Sequence, residues 1–437
     1  MTRNIQRRDF LKFACASGLM AAFPAPALVR AQNANSKLNI ACIGIGARGA
    51  DNVNGVSGEN IVALCDIDEN TLNKGKEQFP SAKLFRDYRK MYDAVEKEID
   101  AVVVSTPDHN HAPASIMGMK LGKHCYCEKP LAHNVKEVRE MMAIAREKRL
   151  ATQMGTQIHA EDNYRRVVEL VQANAVGAIK EVHVWCGSRW GGKPFETDTP
   201  AVPAHIDWEL WLGPAPERPY HPQYFGGAWR CFWAFGNGSL GDMACHYMDL
   251  PFWALRLRRP RTVEAFSDEK PTPEVAPGQL RVEYTFAERP TRAGTTLPAV
   301  TLNWYDGGLK PALLKEKDLP DWGSGVLFVG NEGMLLADYG RWMLFPQDKF
   351  ADYQLIPEQP IPKSVGHHQE WINACKTGSP TTCNFGYSGP LAETVLLGAV
   401  AFRTGKKLEW DARTMKATNC PEADKYISRT YRKGWEV

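Results

Sequence analysis

The feature that most limits what this chain can fold into is an apolar run, Lys37–Ile43, that breaks at Gly44-Ile45-Gly46-Ala47-Arg48-Gly49 into a helical stretch. The first glycine permits a tight turn, the second lets a ligand approach the backbone, and the third lets a helix pack closely on a strand. Further apolar runs lie at Ile61–Cys65, Ala101–Ser105, His124–Cys127 and Ala151–Gly155, separated by helical patterns at Thr71–Gln78, Pro113–Leu121 and Val135–Lys148. Continuous apolar strands alternating with helices predict a doubly wound parallel sheet, an α/β fold. In that context the glycine turn and the free N–H groups of the helix behind it form a pyrophosphate site. Asp66 stands 22 positions after Gly44, at the end of the second run. A carboxylate there grips an adenosine ribose 2′-hydroxyl and repels a 2′-phosphate, favouring NAD over NADP. Arg48 is the nearby group that would accommodate NADP. The competing reading is a glycine-rich turn with Asp66 as a helix cap.

At 437 residues, 44% of them hydrophobic, the chain can bury a full core without disulfide staples and is long enough for two or three domains. The net charge of +3 is concentrated at the start: residues 1–31 carry +4, so the remainder sums to −1. A near-neutral body has no electrostatic footprint for nucleic acid. No run of 18 apolar residues predicts a membrane span. Residues 1–31 run from Arg7-Arg8 through an apolar stretch, Phe13 to Phe23, to small residues ending at Ala31, the order of a signal peptide. The paired arginines resemble a twin-arginine (Tat) signal. Tat export carries folded proteins, which suits one that acquires a cofactor in the cytoplasm, so a periplasmic location and the Tat translocase as a transient partner are expected. The remaining cysteines, including Cys125-x-Cys127 on one strand, show neither a disulfide framework nor Cys-x-x-Cys spacing, and no metal is expected.

Thr106-Pro107-Asp-His-Asn-His111, then Gly122-Lys-His-Cys-Tyr-Cys-Glu128-Lys129-Pro130, then Gly238-Ser-Leu-Gly-Asp242-Met-Ala-Cys-His246-Tyr-Met-Asp249 together resemble the Gfo/Idh/MocA oxidoreductases, relatives of glucose–fructose oxidoreductase and inositol dehydrogenase. The ending Tyr431–Val437 resembles a Tat-exported bacterial branch. The resemblance implies a Rossmann dinucleotide domain over 32–157 and a substrate and oligomerisation domain over 158–437, an α/β unit with an open, mostly antiparallel sheet. Strands are expected at Lys180–Cys186, Arg281–Phe286, Ala299–Trp304 and Gly325–Val329. A large sheet with an exposed face points to a homo-oligomer.

The resemblance also implies roles. The lysine matching Lys129 sits at the substrate hydroxyl beside the nicotinamide. Asp242 and His246, spaced i,i+4, match the family's proton-relay pair; the alternative is a capping Asp and a core histidine. Asp249, a further turn along, either orients His246 or faces substrate. The cofactor set is Gly44, Gly46, Ala47, Arg48, Gly49, Asp66, Thr106, Pro107, His111, Glu128, Lys129 and Gln157. Glu128 is expected near the nicotinamide ribose, Gln157 at the nicotinamide amide, and His109 in solvent. Seven of thirteen tryptophans fall between Trp185 and Trp253. Their flat faces suit the C–H faces of sugars. Trp229 and Arg230 are the candidate substrate contacts there.

These features point to an NAD-dependent enzyme acting on a secondary hydroxyl of a sugar, polyol or glycoside. The periplasm has no soluble NAD pool, so the cofactor must stay bound and be regenerated in place. Either the enzyme is ping-pong between two sugars, or it is redox-neutral, oxidising transiently to permit elimination or epimerisation. The glycosidase branch on this fold typically lacks the Glu-Lys-Pro lysine, which Lys129 retains. A sensor of sugar or NAD is the third reading, disfavoured by the presence of Lys129 and His246.

Overall fold

The computed structural model describes residues 36–290, 296–353 and 359–437. The leader read at 1–31 lies outside the described residues. Six parallel strands form the first sheet in the order β3-β2-β1-β4-β5-β6: β1 (Asn39–Ile43), β2 (Asn60–Cys65), β3 (Lys83–Phe85), β4 (Ala101–Val104), β5 (His124–Cys127) and β6 (Thr152–Met154). The order reverses between β1 and β4, and ligands on such sheets bind at that switch point, beyond the strands' C-terminal ends. Helices α1 (Arg48–Val56), α2 (Glu69–Gln78), α3 (Tyr88–Val95), α4 (Asp108–Lys120) and α5 (Val135–Glu147) connect the strands. Alternate residues of β1 explain the doubled layer. Ala41 and Ile43 share a core with α3, α4 and α5, whereas Ile40 and Cys42 face α1 and α2. Asp68, Asp87 and Asn134 cap α2, α3 and α5 by accepting backbone N–H bonds from the first turn.

Sequence reading starts the fourth helix at Pro113, but it begins five residues earlier, at Asp108. Pro113 has no N–H, so the carbonyl four residues back, His109 O, loses its helical donor. Arg429 from the C-terminal tail replaces it, with Nη2 2.6 Å from His109 O. Strand β3 and α3 carry no long apolar run, and sequence reading passes over both.

The second half builds a nine-stranded mixed sheet in the order β15-β14-β13-β7-β12-β9-β8-β16-β17. Its strands are β7 (Ile179–Trp185), β8 (Thr262–Phe266), β9 (Arg281–Phe286), β12 (Val300–Tyr305), β13 (Gly325–Gly330), β14 (Met334–Ala337), β15 (Trp342–Phe345), β16 (Leu408–Asp411) and β17 (Lys416–Ala417). A short hairpin, β10 (Arg289–Pro290) with β11 (Thr296–Leu297), stands apart. Only the β7–β12 pair within this sheet is parallel. Helices α6 (Asp162–Gln172), α7 (Trp208–Leu212), α8 (Gly238–Tyr247) and α9 (Asp249–Ala254) fall between β6 and β8. Helix α10 (Leu313–Glu316) brings Leu314 onto the outer face near β13 and β14. The outer face of β8 and β9 is polar, with half-buried Arg281 and Glu283.

The chain then returns through α11 (His367–Thr377), α12 (Phe385–Thr404) and α13 (Asp424–Ile427). Helix α12 is long and apolar enough to cross a membrane, but 89% of its apolar window is buried inside the protein, where it packs on α5, α8 and β8. Its Glu393 is ion-paired to Arg139 and accepts from Trp410 Nε1 at 3.0 Å. All ten described cysteines are free thiols. Helix α11 lies on α1 and buries Trp371 in the core of the first sheet, so the dinucleotide unit is completed by residues far outside 32–157. Trp371 is fully buried and donates from Nε1 to Ala151 O. Its replacement by Ala should cost about 3–5 kcal/mol, the usual loss for a core tryptophan. A lower urea midpoint at unchanged slope checks this.

Candidate active site

A cleft of about 950 Å3 runs along the C-terminal ends of β1, β2 and β4 and is closed on its far side by α8 and the aromatic segment before it. Its dinucleotide end starts at Gly44. A side chain there would strike Ser105 and Thr106 backbone at 2.8 Å, and φ is +74°. At Gly49 a Cβ would stand 1.9 Å from Gly44 O, so the close packing of α1 on the turn requires glycine. Ala47 between them has φ 47° and ψ −118°. This sparsely populated conformation for a non-glycine residue is strain of the sort held at ligand sites. The backbone N–H groups of Ala47 and Arg48 donate to no group among the described residues.

Asp66 is not the helix cap; Asp68 is. The Asp66 carboxylate binds Ile45 N (2.9 Å) and Asp68 N (3.0 Å), tying the glycine turn to the end of β2 while lining the cleft. Burial raises its pKa. Thr106 and Pro107 line the same wall, and Thr106 Oγ1 is buried without a partner. Unpaired N–H groups at a helix start, a lone buried hydroxyl and an acidic group at the end of β2 fit a dinucleotide, with pyrophosphate at Ala47–Arg48 and adenosine ribose at Asp66. Arg48 lines the cleft in an ion pair with Asp51, 3.1 Å.

The second domain covers the adenosine end. Ile206 bridges Asp68, Glu69 N donates to His205 O (3.0 Å), and Asp207 N donates to Ile67 O (3.1 Å). Arg86 Nη2 clamps both strands through Ile67 O and His205 O. Trp211, Tyr224 and Phe225 line the cleft behind this strap.

At the other end, Glu128 Oε1 accepts from Asn52 Nδ2 (2.9 Å) and Gln157 Nε2 (2.8 Å). His368, on α11, holds Asn52 Oδ1 at 3.0 Å and stacks on Tyr126. His111 spans Pro130 O (2.7 Å) and Thr106 O (2.8 Å). Burial pushes its pKa down to about 4, so it is a neutral tie between two turns.

Lys129 enters from the end of β5. Its Nζ donates to Asp242 Oδ1 (2.6 Å) and to Asp242 O (2.7 Å) on α8. Arg230 Nε reaches the same Oδ1 at 2.7 Å, and Trp190 Nε1 reaches Oδ2 at 2.8 Å. Burial pushes the Asp242 carboxyl up, but Lys129 and Arg230 outweigh it and hold it well below the usual carboxylate range. Arg230 lies over Trp229, 4.3 Å from the ring centroid. One turn along α8, His246 lines the cleft and accepts no hydrogen bond from the described side chains. Burial, then Lys129, pushes its pKa down to about 3. Asp108, unnoticed in the sequence, is 2% exposed and lines the cleft beside this cluster. Burial pushes its carboxyl up to about 8, against the pull of Arg230 and Lys129, so it is largely protonated at neutral pH.

Several sequence expectations are corrected here. Asp242 is spent on Lys129, Arg230 and Trp190 and does not orient His246. Asp249 neither orients His246 nor faces the cleft: fully buried, it accepts from His159 Nδ1 (2.8 Å) and Tyr387 OH (2.7 Å). His109 is buried rather than solvated, 2.8 Å from Trp211 O. Asn52, His368, Trp190 and the strap carried no short motif; long-range packing alone brings them in.

Removing the Asp242 charge leaves Lys129 and Arg230 facing each other in a buried site. Asp242→Asn should therefore destabilise the fold by about 3–5 kcal/mol. Adding Arg230→Gln should recover part of that loss in the same denaturation experiment, a coupling that independent sites would not show.

Comparison with known proteins agrees with this geometry. The family model described as an oxidoreductase family, NAD-binding Rossmann fold, matches residues 38–156, and its C-terminal alpha/beta domain matches 178–290. A myo-inositol 2-dehydrogenase of Thermotoga maritima is 26% identical over 143 residues, 32% of this chain and 42% of that protein. A glycosyl hydrolase family 109 protein of Solibacter usitatus is 32% identical over 159 residues, 31% of this chain and 35% of that protein. The chain thus spans less than half the length of these curated relatives. The WlbA dehydrogenase from Bordetella pertussis, solved with NADH and UDP-GlcNAcA, has the same fold. Its TM-score is 0.60 at 16% identity, covering 87% of this chain and 99% of that one. With both domain models matched in order and the glycine turn, Lys129 and α8 assembled on one cleft, the chain belongs to the Gfo/Idh/MocA oxidoreductase family.

Proposed function

We propose that this protein oxidises a secondary hydroxyl of a sugar, polyol or glycoside and keeps its NAD bound throughout. The observation that carries this reading is the Lys129–Asp242 pair with His246 one turn away, at the mouth of the dinucleotide cleft. Bound NAD would accept the hydride from the carbinol carbon. Two of the three Lys129 N–H bonds go to Asp242, leaving the third for the substrate oxygen. His246 is a neutral imidazole with a free nitrogen lone pair, able to take the hydroxyl proton as the carbonyl forms. Arg230 and Asp242 hold the lysine in place. Trp229 offers a flat face for a sugar ring.

The strap at 205–207 supports a retained cofactor, since it lies across the adenosine end. Retention in turn suits export of the folded protein by the Tat route to the periplasm. Self-association through the open face of the large sheet completes the proposal. A redox-neutral second reading, in which transient oxidation permits elimination or epimerisation of a glycoside, draws support from the glycosyl hydrolase family 109 relative.

Gentle purification, denaturation and mass analysis should release NAD(H) in equimolar amount; an empty protein that binds NAD(H) weakly would reject retention. Lys129→Ala and His246→Ala should each lower turnover by about 100-fold or more while NAD(H) stays bound. Because His246 already lacks its proton at neutral pH, the acid limb it contributes to kcat/KM should lie near pH 3, below the ordinary histidine range. Turnover and an acid limb that both stay unchanged in His246→Asn would overturn its assignment as base.

A further inference from the structure

A second cavity, of about 350 Å3, opens between the end of α12, the segment after Pro130 and the C-terminal tail. Its polar lining is one-sided. Arg218, Arg403, Lys425 and Arg429 line it, against the single carboxylate of Glu274 among the described lining residues. Glu274 is taken by Arg218 at 3.0 Å, and Arg429 is taken by Glu137, outside the cavity, at 2.8 Å. Arg403 and Lys425 are left with no carboxylate in ion-pair range among the described residues.

Arg403 is held between two rings, 4.0 Å from the Tyr426 centroid and 5.0 Å from that of Trp233. None of its N–H groups makes a hydrogen bond among the described residues, and burial lowers its pKa to about 10. Three further donors are sealed from solvent without acceptors: Arg218 Nε, Arg429 Nη1 and Asn134 Nδ2. Asn134 is only 5% exposed, and its Oδ1 caps α5. Each such orphan costs about 1–3 kcal/mol. Water in the cavity would not neutralise Arg403 and Lys425. An acceptor-rich anion would, through charge-assisted hydrogen bonds.

We propose that this cavity binds a small organic anion through its carboxylate or phosphate group, with Arg403 as the central ligand and Lys425 at the rim. Leu396, Ala399 and Val400 of α12 form an apolar wall for the carbon skeleton. The site stands independently of the dinucleotide cleft and of the reaction proposed for it.

The test uses the mature protein saturated with NAD, so that the pyrophosphate site is filled. Calorimetry compares sodium phosphate, glucose 6-phosphate and sodium citrate with sodium chloride at matched ionic strength and with neutral glucose. At least one phosphate or carboxylate probe should bind saturably and raise Tm beyond chloride. Response to the phosphates alone identifies a phosphate site, and response to citrate alone a carboxylate site. Arg403→Gln and the exposed-rim variant Lys425→Gln should each weaken that binding about tenfold or more, the worth of one charge-assisted contact. Absence of any response beyond chloride, or binding unchanged in folded Lys425→Gln and Arg403→Gln, overturns the proposal.

Discussion

The buried contact between Lys129 and Asp242 is the constraint on which the molecule turns. It joins the end of β5 in the first sheet to α8 in the second half, with the lysine 10% and the aspartate 9% exposed. Desolvating two such charges is expensive, and an isolated pair would scarcely repay it. Here the carboxylate also accepts from Arg230 and Trp190, so its lone pairs are satisfied and only a net positive charge remains. That surplus lies in the part of the cleft that His246 also lines. The same pair fixes the distance between the glycine turn and His246, so the site exists only when the two halves are docked.

Much of this was legible in the sequence, for local reasons. Buried parallel strands are largely apolar, so β1, β2, β4 and β5 stand out. The glycine turn and Asp66 announced themselves because their roles depend on spacing along the chain. What stayed hidden depends on spacing through space. The i,i+4 relation of Asp242 and His246 is real, yet a cation from 113 residues earlier claims the carboxylate first. Asp249 looked like part of the same face but begins a new helix, α9, and turns inward to His159. His109, between two polar neighbours, reads as a surface residue until Trp211 and Phe235 close over it.

The chain's two ends of interest meet in an unexpected order. Strands β1–β6 all precede residue 157, but α11 returns to cover α1 and to place His368 against Asn52, beside Glu128. The tail reaches further still: Arg429 replaces the hydrogen bond that Pro113 removes from α4. Residues that look like a terminal appendage are therefore part of the frame that sets Thr106 and Pro107 at the start of α4.

The strap formed by residues 205–207 has a kinetic meaning. It is stitched to the β2–α2 turn by two backbone hydrogen bonds and by the Arg86 guanidinium. Parting the strap from that turn needs those bonds to open together, a local unfolding event rather than a side-chain rotation. Access at this end of the cleft is then tied to the protein's internal cohesion, and a substitution that touches no cleft residue can change it.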